Sequence, residues 1–285
     1  MGLCASASWA AANVFVQRSS RAVGPIRAVV WAQVVGGLAL APIALALDHR
    51  ETRFDAGIAI WVVVAGLSAV LAYACLFLST ERGRLSVVVP VMSSWSLVAA
   101  AISIGILGET VRRTHMAGAA LVIAGVLTVA RFSQTDVAPD GTAASARLER
   151  RALLIAVGAA LGFGVLIPAM DRLAPVAGRL GATPVVFLLD LILGVPVALL
   201  AGINLRPPER KAWPAVAAAG LFETVGFVWI SLGVSRAPVA VVAPLAGLAS
   251  AFTVLFAWIV LRERPRPLVL LGAAVACAGV ITLSL

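Results

Sequence analysis

At 285 residues, 61% of them hydrophobic and only 12% charged, the chain lacks the charge to cover a water-facing surface; soluble domains carry about a quarter charged residues. The net charge of +9 does not point to nucleic acid, because the 22 Lys and Arg residues fall in short clusters between apolar runs, the pattern of headgroup anchors. Lipid is the solvent this composition fits.

A helix needs about 20 mostly apolar residues to cross a bilayer. By that measure spans run over 3–17, 25–47, 57–79, 85–107 and 114–131. The first is short and interrupted by Asn13 and Gln17. No Lys or Arg precedes Arg18, so it reads as a first span and not as a cleaved signal peptide. A polar stretch over 133–151 follows, holding Asp136, Pro139, Asp140 and Gly141. Further spans cover 151–170, 181–203, 212–234, 238–261 and 267–285. The expected fold is all-α and integral to the membrane, with about ten transmembrane helices. Residues 1–131 form one five-helix repeat, 132–150 a polar linker and 151–285 a second repeat. Cys4, Cys75 and Cys277 are isolated within apolar runs and read as small hydrophobes. No metal site or cofactor is expected.

The two units are copies. Sliding the sequence on itself by 154 residues aligns Arg18 with Arg172, Pro42 with Pro196, Gly66 with Gly220, and Arg82 with Arg236. At the same offset Pro90 meets Pro244, Glu109 meets Glu263, Gly118 meets Gly272, and Gly125 meets Gly279. Matches at Pro, Glu, Arg and Gly carry the argument, since Ala, Leu and Val coincide by chance in apolar sequence. Five spans per copy is an odd number, so the second copy enters the bilayer from the opposite side. Such inverted repeats are a recurrent plan of secondary transporters.

Residues 9–18 (WAAANVFVQR), with the block Arg82, Pro90, Gly108, Glu109, Gly118 and Gly125 and its recurrence as Arg236, Pro244, Arg262, Glu263, Gly272 and Gly279, resemble the EamA-type transporters of the drug/metabolite transporter superfamily. The resemblance covers both halves; the second departs from the first at Arg262, which stands for Gly108, and at Phe163, which stands for Trp9. It implies ten helices, a central cavity open to one side at a time, cytoplasmic termini, and export or exchange of small metabolites such as amino acids.

Several residues are candidates for the transport path. Glu223 lies near the middle of its span, in the run GLFETVGFVW. A charge at the bilayer centre costs a few kcal/mol or more, and such residues usually face a cavity or a partner. It is therefore the proton-coupling candidate, or a counter-ion for an amine-bearing substrate; the alternative is a glutamic acid hydrogen-bonded between two helices. Asp190 is the other intramembrane acid. Their repeat mates are Ala69 and Gly36, so both acids belong to the second half only. Trp9, Asn13, Gln33, Tyr73, Ser94, Trp95 and Trp229 complete the substrate-cavity set, with the alternative that they pack helices or mark headgroup depth. Pro90 and Pro244 sit inside their spans, where a missing backbone N–H bends a helix; they are hinge candidates, or static kinks. Glu109 and Glu263 form a structural repeat pair at span ends near arginines, suited to capping a helix or pairing with a neighbour. The runs GAALVIAG (118–125) and GAAVACAG (272–279) give small-residue stripes that pack the two halves together or seam a homodimer. Either a monomer or a homodimer fits.

The leading function is secondary transport in the plasma (bacterial inner) membrane, with a small molecule as partner and proton coupling through Glu223. An intramembrane enzyme would need nucleophiles, bases or ligands. The chain offers only His49 and His115, with no HExxH or GxSxG motif. No GxxxxGK[ST] loop suggests a primary pump. A non-transporting receptor or scaffold is the remaining alternative. Fifteen basic residues fall in the loops on one side and seven on the other, which places the termini outside; the family resemblance implies the reverse.

Overall fold

The computed structural model describes residues 1–48, 56–82, 85–133, 143–249, 252 and 267–283. Among them all regular structure is helical: α1 (Gly2–Val23), α2 (Pro25–Leu47), α3 (Ala56–Arg82), α4 (Leu85–Met92), α5 (Trp95–Gly105), α6 (Arg113–Ser133), α7 (Ala143–Ala177), α8 (Ala182–Leu200), α9 (Trp213–Val234), α10 (Val239–Ala246) and α11 (Pro267–Leu283). Among the described residues five helices are long and apolar enough to cross a membrane: α2, α3, α8, α9 and the Arg150–Ala177 part of α7. His49, Arg262 and Glu263 lie outside the described residues.

Two helices run further than an apolar ruler measures. α1 continues through Gln17 and Arg18 to Val23. α7 begins at Ala143, within the stretch that reads as linker. Its first residues, AASARLERR, are strong helix formers without being apolar, so hydropathy alone does not find them.

Repeat mates lie antiparallel. Along α2 and its mate α8, Asp48 at the end of α2 accepts a hydrogen bond from the Gly181 N–H just before α8, at 2.6 Å. At the other end, Arg27 Nε donates to the Arg206 carbonyl beyond α8, at 2.6 Å. α6 and α11 cross the same way. A Cβ on Gly125 would strike the backbone at Gly272 and Ala276, and one on Gly279 the backbone at Gly118 and Val122. The stripes of small residues therefore close on each other within the chain and let two backbones touch. α1 packs along α9, and α7 along α3, which is the same contact with the repeats exchanged.

Each fourth span is broken. α4 ends at Met92, Ser93 and Ser94 form a turn, and α5 restarts at Trp95; α10 ends at Ala246 and turns at Gly247 and Leu248, the mates of those serines. The break follows the proline and does not coincide with it. In the first half Ser94 Oγ donates to the Val91 carbonyl at 2.7 Å and Ser96 Oγ to the Ser93 carbonyl at 3.1 Å, so serine hydroxyls compete with the helical ladder. In the second half the chemistry comes from another helix. Ser6 Oγ of α1 lies 2.5 Å from the Leu245 carbonyl and 2.9 Å from that of Ala246. Ser6→Ala is expected to lower stability by about 1 kcal/mol, measured as a drop in the thermal unfolding midpoint in detergent.

The start of α10 at Val239 is tied down by the other repeat. Gly108 adopts a φ of 70°, a left-handed turn at the end of α5 that glycine makes at no steric cost. The next residue, Glu109, then accepts hydrogen bonds from the Val239 and Ala240 N–H groups, both at 3.1 Å. A carboxylate on the first N–H groups of α10 also meets the positive end of the helix dipole. Glu109→Ala is expected to cost about 1–2 kcal/mol with Glu109→Gln intermediate, again by thermal unfolding.

Candidate functional site

At the middle of the bundle, helices from both repeats surround a small cavity of about 50 Å³. α1 contributes Trp9 and Asn13, the break after α4 contributes Ser93, and α5 contributes Trp95; α7 supplies Phe163 and Ile167, and α9 supplies Glu223. The rings interlock edge to face, as aromatic quadrupoles prefer. Trp9 meets Trp95 at 5.7 Å and Phe227 at 5.2 Å between centroids. Glu223 is 8% exposed and forms no ion pair among the described residues.

Glycine makes this packing fit. A Cβ on Gly226 would overlap the Trp9 indole at Nε1, so the ring rests on bare backbone, one turn of α9 past Glu223. Gly226→Val is expected to push the indole into the cavity, with an overpacking cost of about 1–3 kcal/mol. A changed tryptophan emission spectrum together with lost substrate binding would show it.

Behind the chamber wall lies a second polar layer. Tyr73 is fully buried, edge-on to Phe163 at 5.3 Å and Phe187 at 5.8 Å. Glu223 and Asp190 both act electrostatically on Tyr73, and Gln33 lies beside Asp190. The Tyr73 hydroxyl is buried without a hydrogen-bond partner among the described residues.

Of the residues singled out in the sequence, Trp9, Asn13, Trp95 and Glu223 share the chamber. Gln33, Tyr73 and Asp190 form the layer behind it. Ser94 bonds its own helix end, and it is Ser93 that reaches the cavity. Trp229 is half-buried against the core and lines no cavity described here. Pro244 is buried within α10, and Pro90 lies within α4. The sequence reading missed Phe163 and Phe227. The repeat offset held a signal for the first, as the mate of Trp9. Helical spacing held one for the second, four residues after Glu223 and on the same face.

A larger opening lies next to the chamber among the described residues. A vestibule of about 900 Å³ opens at the end of the bundle that carries Leu47, Asp48, Gly57, Arg172, Arg179 and Ser235. It carries both charges, Asp48 and Asp171 against Arg172 and Arg179, and Ile167 lines both vestibule and chamber. At the opposite end α2 is tied to the segment between α8 and α9. There Arg27 donates to the carbonyls of Arg206 and Pro207, and Trp31 Nε1 donates to that of Leu205 at 3.1 Å. Trp31 also meets Trp213 edge to face at 5.5 Å. Among the described residues no group of three or more His, Cys, Asp or Glu could hold a metal ion.

An aromatic chamber holding a buried carboxyl, between antiparallel repeats of apolar helices, fits the architecture of a multi-pass membrane transporter. The EamA-like transporter family matches residues 1–131 and again 150–285, and the chain belongs to that family, within the drug/metabolite transporter superfamily. A solved crystal structure superposes on 99% of this chain and 94% of its own, with a TM-score of 0.72 and 19% identity; that likeness bears on the fold alone. No curated protein matches the sequence.

Proposed function

We propose that the protein is a secondary transporter that crosses the membrane ten times as two inverted five-helix repeats. It carries a small amine-bearing metabolite, such as an amino acid, by alternating access. The observation that supports this most is the chamber. Trp9, Trp95 and Phe163 line the same cavity as a carboxyl, that of Glu223, which has no basic partner among the described residues. Aromatic faces attract organic cations, and a carboxylate supplies their counter-charge. Glu223 then exchanges a proton for the substrate ammonium, which couples transport to the proton gradient. Efflux or exchange across the plasma (bacterial inner) membrane follows from such coupling. The small-residue stripes of α6 and α11 are occupied within the chain, which favours a monomer.

Counterflow in proteoliposomes tests the reading. Vesicles preloaded with unlabelled amino acids should accumulate the labelled amine-bearing species, and flux of none of them would overturn it. A C-terminal reporter fusion assigns the vestibule to a membrane face. A periplasmic signal is expected from the basic-loop count, and a cytoplasmic signal from the family resemblance.

A further inference from the structure

The vestibule holds charges that its own walls leave unpaired. Asp48, Asp171, Arg172 and Arg179 all line it, yet none of the four closes an ion pair with a described residue. Asp48 accepts the Gly181 N–H. Arg172 reaches the Leu107 carbonyl at 3.5 Å, too long for a strong hydrogen bond. Both guanidinium groups act electrostatically on Asp171, as does the Glu109 carboxylate. Opposite charges that share a cavity of about 900 Å³ without touching leave room between them for a ligand.

These charges stand over the chamber. Along α7, Phe163 lines the chamber, Ile167 lines both cavities and Asp171 lines the vestibule. Residues four apart share a helix face, and at 1.5 Å per residue Asp171 lies about 12 Å from Phe163. α9 repeats the pattern, with Glu223 in the chamber and Ser231 in the vestibule. The signs of the charges select the ligand. A phosphate or a dicarboxylate is repelled by Asp48 and Asp171, and a bare amine by Arg172 and Arg179. The head of an α-amino acid carries both signs, and guanidinium groups bind carboxylates through paired N–H donors.

We propose that the vestibule is a second binding site, specific for a zwitterionic head group, in which Asp171 takes the ammonium and Arg172 with Arg179 takes the carboxylate. The molecule is held there before it moves along α7 and α9 to Glu223, a step that rests on the transport reading above. Charge complementarity of this kind gives specificity and speed of capture more than raw affinity. The vestibule therefore binds weakly and sorts by head group. Zwitterions are admitted ahead of simple amines, although the chamber carboxyl alone would accept either.

Recognition of the head is independent of the side chain, so L-alanine serves as the probe whichever amino acid is carried. It is compared with alaninamide, which lacks the carboxylate, and with N-acetylalanine, which lacks the ammonium. Saturation-transfer NMR on the full-length Glu223→Gln protein in nanodiscs reads the vestibule, because the chamber carboxyl is gone. Alanine should bind several-fold more tightly than either analogue. Adding Arg172→Gln with Arg179→Gln should lower alanine to the level of alaninamide, and adding Asp171→Asn should lower it to that of N-acetylalanine. Arg172→Lys with Arg179→Lys keeps the charges and should retain most of the preference, which separates recognition from misfolding. Equal binding of the three ligands, or a preference that survives loss of the charges, overturns the proposal. Wild-type counterflow of amino acids separates the two readings. Flux without a head-group preference in the Glu223→Gln protein sinks the vestibule site alone, and a preference without flux of any amino acid sinks the transport reading alone.

Discussion

Glu223→Gln is expected to abolish pH-driven accumulation in proteoliposomes while leaving the amount of protein in the membrane unchanged. The amide has nearly the shape of the carboxyl, so packing among Trp9, Phe163 and Ile167 is preserved. It carries neither a negative charge for an ammonium nor a proton to exchange. Removing one partner of a buried ion pair costs about 3–5 kcal/mol, so substrate affinity should fall more than about a hundred-fold. The pH dependence has a definite sign. Raising the pH on the vestibule side strips the proton from Glu223 and presents a carboxylate to the substrate. Wild-type affinity therefore rises with pH, and the variant's should be flat. A variant that still accumulates substrate down a pH gradient would remove Glu223 from the coupling scheme.

The second large effect is structural. A side chain at Gly125 would meet the Ala276 nitrogen and the Gly272 carbonyl, which are backbone atoms and cannot rotate away. Overpacking of ordinary cores costs about 1–3 kcal/mol. Gly125→Leu should lie at or above the top of that range, because α6 and α11 must separate along their length to admit it. Gly125→Ala should be intermediate, and Gly279→Leu should match Gly125→Leu, since it meets Val122 and Gly118 in the same way. Thermal unfolding monitored by size-exclusion chromatography reads the series. A Gly125→Leu protein with the wild-type midpoint would show that the helices do not touch there.

The constant offset of 154 residues and the apolar runs made the repeat and the helix positions legible in the sequence, because both are written in one-dimensional patterns. Helix breaks were not legible. They depend on whether a serine hydroxyl or a distant helix satisfies a freed carbonyl, as Ser94 and Ser6 do. The partner of Glu109 was hidden for a related reason: a carboxylate at a span end announces a cap, but the helix it caps lies 130 residues away. In the site, Glu223, Trp9 and Trp95 stand out as unusual residues in apolar runs. Ile167 looks like ordinary core, and only the packing of α7 against α3, α4 and α5 brings it to the same cavity. Asp190 and Gln33 resemble chamber residues in sequence, yet neither lines the chamber.

The hydroxyl of Ser6 bears on thermodynamics as well as on shape. A transporter made of two identical halves would be degenerate: the conformer open at one face and its mirror conformer would have equal free energy. Position 160, the mate of Ser6, is alanine, and the first-half break is satisfied locally by Ser94. An imbalance of about 1 kcal/mol tilts a two-state population roughly five-fold. On the proposed alternating-access reading, the places where the duplicated halves have drifted apart, and not the scaffold they still share, decide at which face of the membrane the empty protein waits.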